Sequence, residues 1–403
     1  MDVLIFGGGA AGLWLLADLT RRGHSAVLLE ASALGSGQTV ASQGIIHGGL
    51  KYTLQGLLTP AAQQIRDMPG LWRECLAGTG FPNLSQTRIR SQHCHLWRTN
   101  TLASRLGMIG AQIGLRIAPQ TITESERPAA LANCPGTVAR LDEQVLSPAS
   151  FIADLANQYR DRILHVDPER DVEFRRTQAN AVPQVVLKNG AEQIVLSPHW
   201  VILTAGAGNA RLRERLGLDP ARMQRRPLHM VLARGRLPAF NGHCVDGART
   251  RATITSDMDL AGRVVWQIGG QISELGVNQS ESELMAHARS ELQSIMPAVC
   301  FDDVEWSTYR VDRAEGVTAN GSRPDGVQIL QDGYLLTAWP TKLALVPQLA
   351  GDLASRIGPP TSTRFDEKIF KDWARPSVAL PPWEEPGRVW SSLEVRLSLN
   401  RSA

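Results

Sequence analysis

The chain has 403 residues, 43% hydrophobic and 20% charged, enough apolar side chains for one large core or two intertwined ones, which excludes a disordered chain. Its 42 basic residues against 39 acidic ones give a formal net charge of +3, too balanced to argue for a nucleic-acid partner. Five scattered cysteines (Cys75, Cys94, Cys134, Cys244 and Cys300) form no CxxC pair, and no apolar run approaches the roughly 20 residues of a spanning helix, so a reduced, cytoplasmic protein is expected.

The opening Asp2-Val3-Leu4-Ile5-Phe6-Gly7-Gly8-Gly9-Ala10-Ala11-Gly12 reads as a strand over 3–6, a glycine turn and a helix over 10–22, with a second strand over 26–30. Apolar residues begin at Val3 and break at Gly7, so no signal peptide is read here. Gly7, Gly9 and Gly12 stand where such a βαβ unit needs a tight turn, close approach of a pyrophosphate, and close packing of helix on strand. Ala11 lies in the first helical turn, whose free N–H groups and partial positive charge suit phosphates. Glu30 ends the second strand, where a carboxylate accepts both ribose hydroxyls and repels a 2′-phosphate, against NADP.

Residues 32–52 are rich in Gly, Ser and Thr and form a long loop ahead of helical periodicity near 60–76. His93-Cys94-His95 puts two imidazoles on one strand face without a third ligand, so no metal site is read. Segment 102–117 is apolar with two arginines and either touches a membrane surface peripherally or packs within a substrate domain. A helix follows over 150–159. Residues 162–202 alternate as strands, with an Asn189-Gly190 turn, and end in Thr204-Ala205-Gly206-Ala207-Gly208, small enough for backbone to approach a ligand. Strands and a charged helix (280–295) over 230–306 read as a second domain, and 333–357 is again strand, turn and helix. The tail beyond Arg375 is Pro-rich with low core potential and reads as a wrap-around or mobile segment.

No second GxGxxG occurs, so one dinucleotide is expected, and a nicotinamide enzyme has no need of the segment 35–52; both points favour FAD. That segment, Ser36-Gly37-Gln38-Thr39-Val40-Ala41-Ser42-Gln43-Gly44-Ile45-Ile46-His47-Gly48-Gly49-Leu50-Lys51-Tyr52, resembles the flavin-contacting run of the D-amino-acid oxidase superfamily. Within it the run is most similar to FAD-dependent glycerol-3-phosphate dehydrogenase and L-2-hydroxyglutarate oxidase. Thr204–Ala207 and Thr341–Leu345 extend the resemblance more loosely. It implies an α/β protein: a glutathione-reductase-like (Rossmann-type) FAD-binding domain from 1–90, 145–215 and 321–375. An antiparallel-sheet α+β substrate domain (91–144 and 216–320) would be inserted in it, with 376–403 as the tail.

By the same resemblance Gln38, Thr39 and Ser42 would meet the pyrophosphate and ribityl chain, Gly44 the flavin ring, and Val172 the adenine through its backbone. Gly206 would lie beneath the cofactor, and Lys342 and Leu343, at a helix start, would favour negative charge at flavin N1–O2. His47 is the candidate catalytic base; a backbone hydrogen bond near the ring or a covalent flavin link are the rival roles. Lys51 stands where the phosphate dehydrogenases carry an arginine, and a point charge lacks the bidentate fork. The arginine that pairs the substrate anion is Arg310 or Arg323, while Arg313 reads as a solvated surface residue and His229 as a satisfied core histidine. The implied reaction moves a hydride to flavin N5 from a small anionic substrate, a 2-hydroxy acid or polyol phosphate. Amine or amino-acid oxidation on the same scaffold, and an FAD-binding RNA-modification or assembly protein, are the alternatives. Oxygen, a quinone or a protein would serve as electron acceptor, and no nucleic-acid partner is expected.

Overall fold

In the strand Val3–Phe6, Val3 and Ile5 are buried in one core and Leu4 and Phe6 in another. Successive strand side chains point to opposite faces, so an unbroken apolar run needs cover on both sides. One cover is helical: Ala10–Arg21, Pro148–Gln158 and Val346–Ile357 bury Leu13, Leu16, Phe151 and Leu349 there. The other is a three-stranded antiparallel sheet (Val172–Arg175, Gln184–Asn189 and Glu192–Leu196), whose Val185 and Leu187 share a core with Leu4 and Phe6. The computed structural model describes residues 1–48, 65, 67–99, 120–175, 184–246, 249–361 and 366–393. Lys51 and the segment 102–117 lie outside the described residues.

Six strands lie in the order Gln328–Asp332, Leu335–Trp339, Trp200–Leu203, Val3–Phe6, Ala26–Glu30, Ile163–His165. Every pair is parallel except the hairpin formed by the first two. From Val3–Phe6 the chain steps to Ala26–Glu30 on one side and later returns as Trp200–Leu203 on the other. The strand order reverses there, and the carboxyl ends of the two strands part to leave a crevice, the usual ligand position in an open α/β sheet.

A mixed nine-stranded sheet forms the second layer system, with the long antiparallel pair Met223–Gly235 and Val304–Gly316 beside Val264–Gly269. The helix Glu281–Ile295, started by a Ser280–Glu283 capping box, buries Leu284, Ala288 and Leu292 in a core that also holds Trp266 and Trp306. Among the described residues no helix is long and apolar enough to cross a membrane.

The C-terminal segment departs from the expectation of low core potential. Trp383 is buried, Ser391–Ser392 pairs with Glu305 and Trp306, and Leu34, just after Ala26–Glu30, bridges Val378. One buried aromatic, Trp383, together with the bridge at Val378 and the strand pairing at Ser391–Ser392, anchors the Pro-rich run, since an aromatic side chain buries a large apolar area.

Asp2 ties the N-terminal strand to the end of the last helix. Its carboxylate accepts from Ser25 N (2.8 Å), Ser25 Oγ (2.9 Å) and Thr361 N (3.1 Å). Burial alone would raise its pKa, but these hydrogen bonds from Thr361 and Ser25 outweigh burial and hold it at about 2. A depressed carboxylate pKa adds stability above the unfolded value, here 3.8, that is lost as pH falls toward the folded one. Asp2→Ala is therefore expected to cost about 2 kcal/mol in urea unfolding at neutral pH, and less below pH 3.

Candidate active site

The turn after Val3–Phe6 is built for close approach. Gly7 has φ +104°, and a Cβ there would lie 2.5 Å from the Ala205 Cα; a Cβ on Gly12 would lie 2.0 Å from the Gly7 carbonyl oxygen. Glu30 braces the turn, with Oε2 accepting from Gly8 N at 2.6 Å and Oε1 from Ser32 N at 2.9 Å. Thr39 Oγ1 accepts from Ala10 N at 3.3 Å, which brings the 36–48 loop against the helix start.

At the crevice these residues open a groove of about 630 Å³. Gly7, Gly9, Ala11, Glu30, Thr39 and Gly206 line it, as do Gln38, Ser42, Lys342 and Leu343. Val172 does not line it. It opens the three-stranded sheet, its side chain is in the core, and its carbonyl accepts from Arg215 Nη2 at 2.6 Å. Val166, directly after the edge strand Ile163–His165, lines the groove instead and donates its N–H to Glu30 O at 2.9 Å. The physical reason is position: the carboxyl end of a sheet strand faces the crevice, whereas Val172 belongs to the next layer.

A second cavity, of about 260 Å³, shares a wall with the groove: Gln38, Ser42, Val311, Lys342 and Leu343 line both. Gly44 and His47 line only the cavity. The 44–48 stretch runs antiparallel to 144–146, with Ile46 N donating to Gln144 O and Leu146 N to Gly44 O, both at 2.9 Å. Gly44 has φ +73° and a Cβ there would lie 2.0 Å from Leu146 O, so this pairing already demands glycine. Gln43 and Gln267 staple the loop to the second sheet: Gln43 Nε2 donates to Thr253 O (2.9 Å) and Gln267 O (2.8 Å), and Gln267 Nε2 to Ala41 O (2.8 Å).

The pairing sets His47 beside Glu143. His47 Nδ1 and His243 Nε2 each lie 3.5 Å from Glu143 Oε2, while Glu143 Oε1 accepts from Gly48 N at 2.7 Å. The His47 side chain is 41% exposed, yet it lies deep in the protein and what it faces is the cavity. Burial lowers its pKa below the usual 6.5, against the pull of Glu143. Burial would raise the Glu143 carboxyl, but His243 and His47 outweigh it and hold it well below the usual carboxylate range. His243, Glu143 and His47 are thus the donor atoms in the described residues grouped closely enough to hold a metal ion.

The arginines sort by strand parity. Arg310 and Arg313 are three apart on Val304–Gly316 and face opposite ways. Arg310 lines the groove and is held by Val277 O (2.9 Å) and Gln279 O (3.3 Å). Arg313, expected as a solvated surface residue, instead lines the cavity with only 18% of its side chain exposed, 3.4 Å from Glu274 Oε1. Arg323 lines the same cavity, near Thr341 O at 3.5 Å. His229 is buried and its Nδ1 meets Gly276 O at 3.0 Å, a core histidine. Sequence reasoning missed Glu143, His243 and Arg313; only the strand parity of Arg313 was available as a signal.

A dinucleotide groove at the switch point of a parallel sheet, walled by a second sheet with a polar cavity, defines a two-sheet flavin-type oxidoreductase. The family described as FAD dependent oxidoreductase (DAO) matches residues 2–342, and the chain belongs to that family and uses FAD. A probable FAD-dependent oxidoreductase of Pseudomonas aeruginosa is 39% identical over 391 residues, 95% of this chain and 97% of that protein. The crystal structure of an FAD dependent oxidoreductase from the same organism is similar at TM-score 0.79 and 36% identity, over 95% of this chain and 97% of that one. Glycine oxidase from Geobacillus kaustophilus (TM-score 0.61, 18% identity, 92% and 97% covered) shares the fold. So does L-α-glycerophosphate oxidase from Mycoplasma pneumoniae with FAD bound (TM-score 0.61, 14% identity, 91% and 97% covered).

The groove's geometry fits that cofactor. Its glycines leave room for phosphates to approach the backbone, Glu30 lines it with a carboxylate of the kind that accepts ribose hydroxyls, and it shares a wall with the second cavity.

Proposed function

We propose that the chain oxidises a C–H bond beside a hydroxyl group on a small anionic substrate, a 2-hydroxy acid or polyol phosphate, with His47 as the base. The observation that carries this reading is an imidazole, its pKa lowered by burial, that faces the cavity adjoining the FAD groove and is backed by a buried carboxylate. Bound FAD supplies the hydride acceptor, N5 of its ring. His47 takes the hydroxyl proton, and Glu143 stabilises the imidazolium that results. Arg313 and Arg323 bind the substrate anion at the cavity's other charged end, and Arg310 is left to the groove. Lys342 favours the negative charge that develops on the ring.

The six-stranded sheet and its covers serve as the FAD domain and the nine-stranded sheet as the substrate domain. The enzyme is cytoplasmic in this reading, in keeping with five free thiols, and oxygen, a quinone or a protein reoxidises it. The deciding experiment is anaerobic bleaching of the flavin against a panel of hydroxy acids, polyol phosphates and amino acids. Bleaching by a hydroxy acid supports the proposal; bleaching by amino acids alone replaces it with C–N oxidation, and a flavin that none of them bleaches removes it. With the substrate so found, Arg313→Gln or Arg323→Gln is expected to raise KM by ~10-fold or more through loss of a charge-assisted pair, with a smaller change in kcat.

A further inference from the structure

We propose that His47, Glu143 and His243 form a binding site for one divalent transition-metal ion, of which Zn²⁺ is the best fit, in the wall of the cavity. Three donor atoms, one from each residue, lie within 4.8 Å of one another, and both histidine–glutamate separations are 3.5 Å. An ion about 2.1 Å from each donor in tetrahedral geometry would set neighbouring donors about 3.4 Å apart. A charge-assisted hydrogen bond would be shorter, about 2.7–2.9 Å. Glu143 Oε2 and His243 Nε2 are buried, and among the described residues neither has a hydrogen-bond partner. Two buried ligand atoms that face each other at 3.5 Å without a hydrogen bond between them are costly unless something sits between them.

The outer contacts are those of a ligand set. His243 Nδ1 meets Thr253 Oγ1 at 3.0 Å and Glu143 Oε1 accepts from Gly48 N at 2.7 Å, which fixes the ring and the carboxylate while leaving the inward atoms free. Imidazole nitrogens with a carboxylate oxygen suit Zn²⁺ and its neighbours, whereas Mg²⁺ and Ca²⁺ prefer oxygen alone. Three protein ligands leave a fourth position, and His47 borders the open cavity, where water or a substrate oxygen completes the sphere. Arg323 stands near His47, and its charge opposes a second cation there, which weakens binding.

Occupation has a consequence that rests on the base reading above. When Nδ1 of His47 ligates the ion, its ring proton resides on Nε2, no proton is gained or lost, and the ring no longer has a lone pair to accept the substrate proton. The metal-loaded enzyme reduces its flavin more slowly, and chelation restores the rate.

The test counts metal and needs no substrate, so it stands whether or not a hydroxy acid is oxidised. FAD-loaded protein stripped by a chelator is dialysed against ~10 µM Zn²⁺, and bound zinc is measured by atomic emission. About one Zn²⁺ per chain is expected for the wild type, with Mg²⁺ not retained and zinc at background in His243→Ala and Glu143→Gln that keep bound FAD. Zinc absent from the wild type overturns the proposal without recourse to any variant. So does an unchanged stoichiometry in a yellow His243→Ala protein.

Discussion

Gly12→Ala is expected to yield protein that has lost its FAD, with affinity lowered ~100-fold or more. The added methyl would sit 2.0 Å from Gly7 O and 2.8 Å from Thr204 Oγ1. Neither neighbour can give way cheaply. Gly7 O is main chain in the turn itself, and Thr204 Oγ1 already donates to Phe6 O and Gly7 O, both at 3.1 Å, tying the two strand ends together. Relief must come from moving the helix Ala10–Arg21 outward, which opens the gap that the phosphates span and leaves its packing on Val346–Ile357 unmet. A loss of about 3 kcal/mol corresponds to that fold-change. Gly351→Ala is the matched control: nothing lies within 4 Å of its added methyl, in mid-helix, so FAD binding should persist and stability rise by a fraction of ~1 kcal/mol. Absorbance of bound flavin per chain and a fluorescence titration with FAD measure both. A yellow Gly12→Ala protein of wild-type affinity would contradict the close packing described.

His47→Ala should keep FAD and lower the anaerobic flavin-reduction rate ~100-fold or more, the usual worth of a positioned general base. His47 lies in the cavity and not in the groove, so cofactor content serves as an internal check that the variant is folded. Glu143→Gln is expected to fall between the two, since an amide still orients the ring but gives no charge to stabilise an imidazolium. Stopped-flow traces with a substrate found by the bleaching panel give the rates. An undiminished rate in His47→Ala would leave the histidine a cavity wall, and FAD that stays attached after denaturation of the wild type would instead favour the covalent role.

The parts of this protein legible in its residues are those whose reasons are local. The βαβ opening is visible because strand, turn and helix each carry their own period and their own glycine, and Gly7, Gly12 and Glu30 meet within a span of about 30 residues. The loop containing His47 is likewise recognisable as a continuous run. Strand parity separates Arg310 from Arg313 in the sequence itself, but not which of them faces the cavity, because that depends on the sheet's pairing partners.

The surroundings of His47 belong to the tertiary structure. Glu143 reaches His47 only because 44–48 pairs with 144–146, and His243 arrives on Gly242–Asp246, a strand of a different sheet. Neither residue sits in a motif, so nothing in its own surroundings marks it. Trp383 gives no sign in a Pro-rich tail that it will be buried, and that Val172 lies outside the groove while Val166 lines it is visible only once the layers are known. Local sequence determined the cofactor and the turn that holds it, since short-range sterics and hydrogen bonds suffice for both. Which charged groups face the cavity was decided by long-range register, where one residue of slip turns every side chain to the other face.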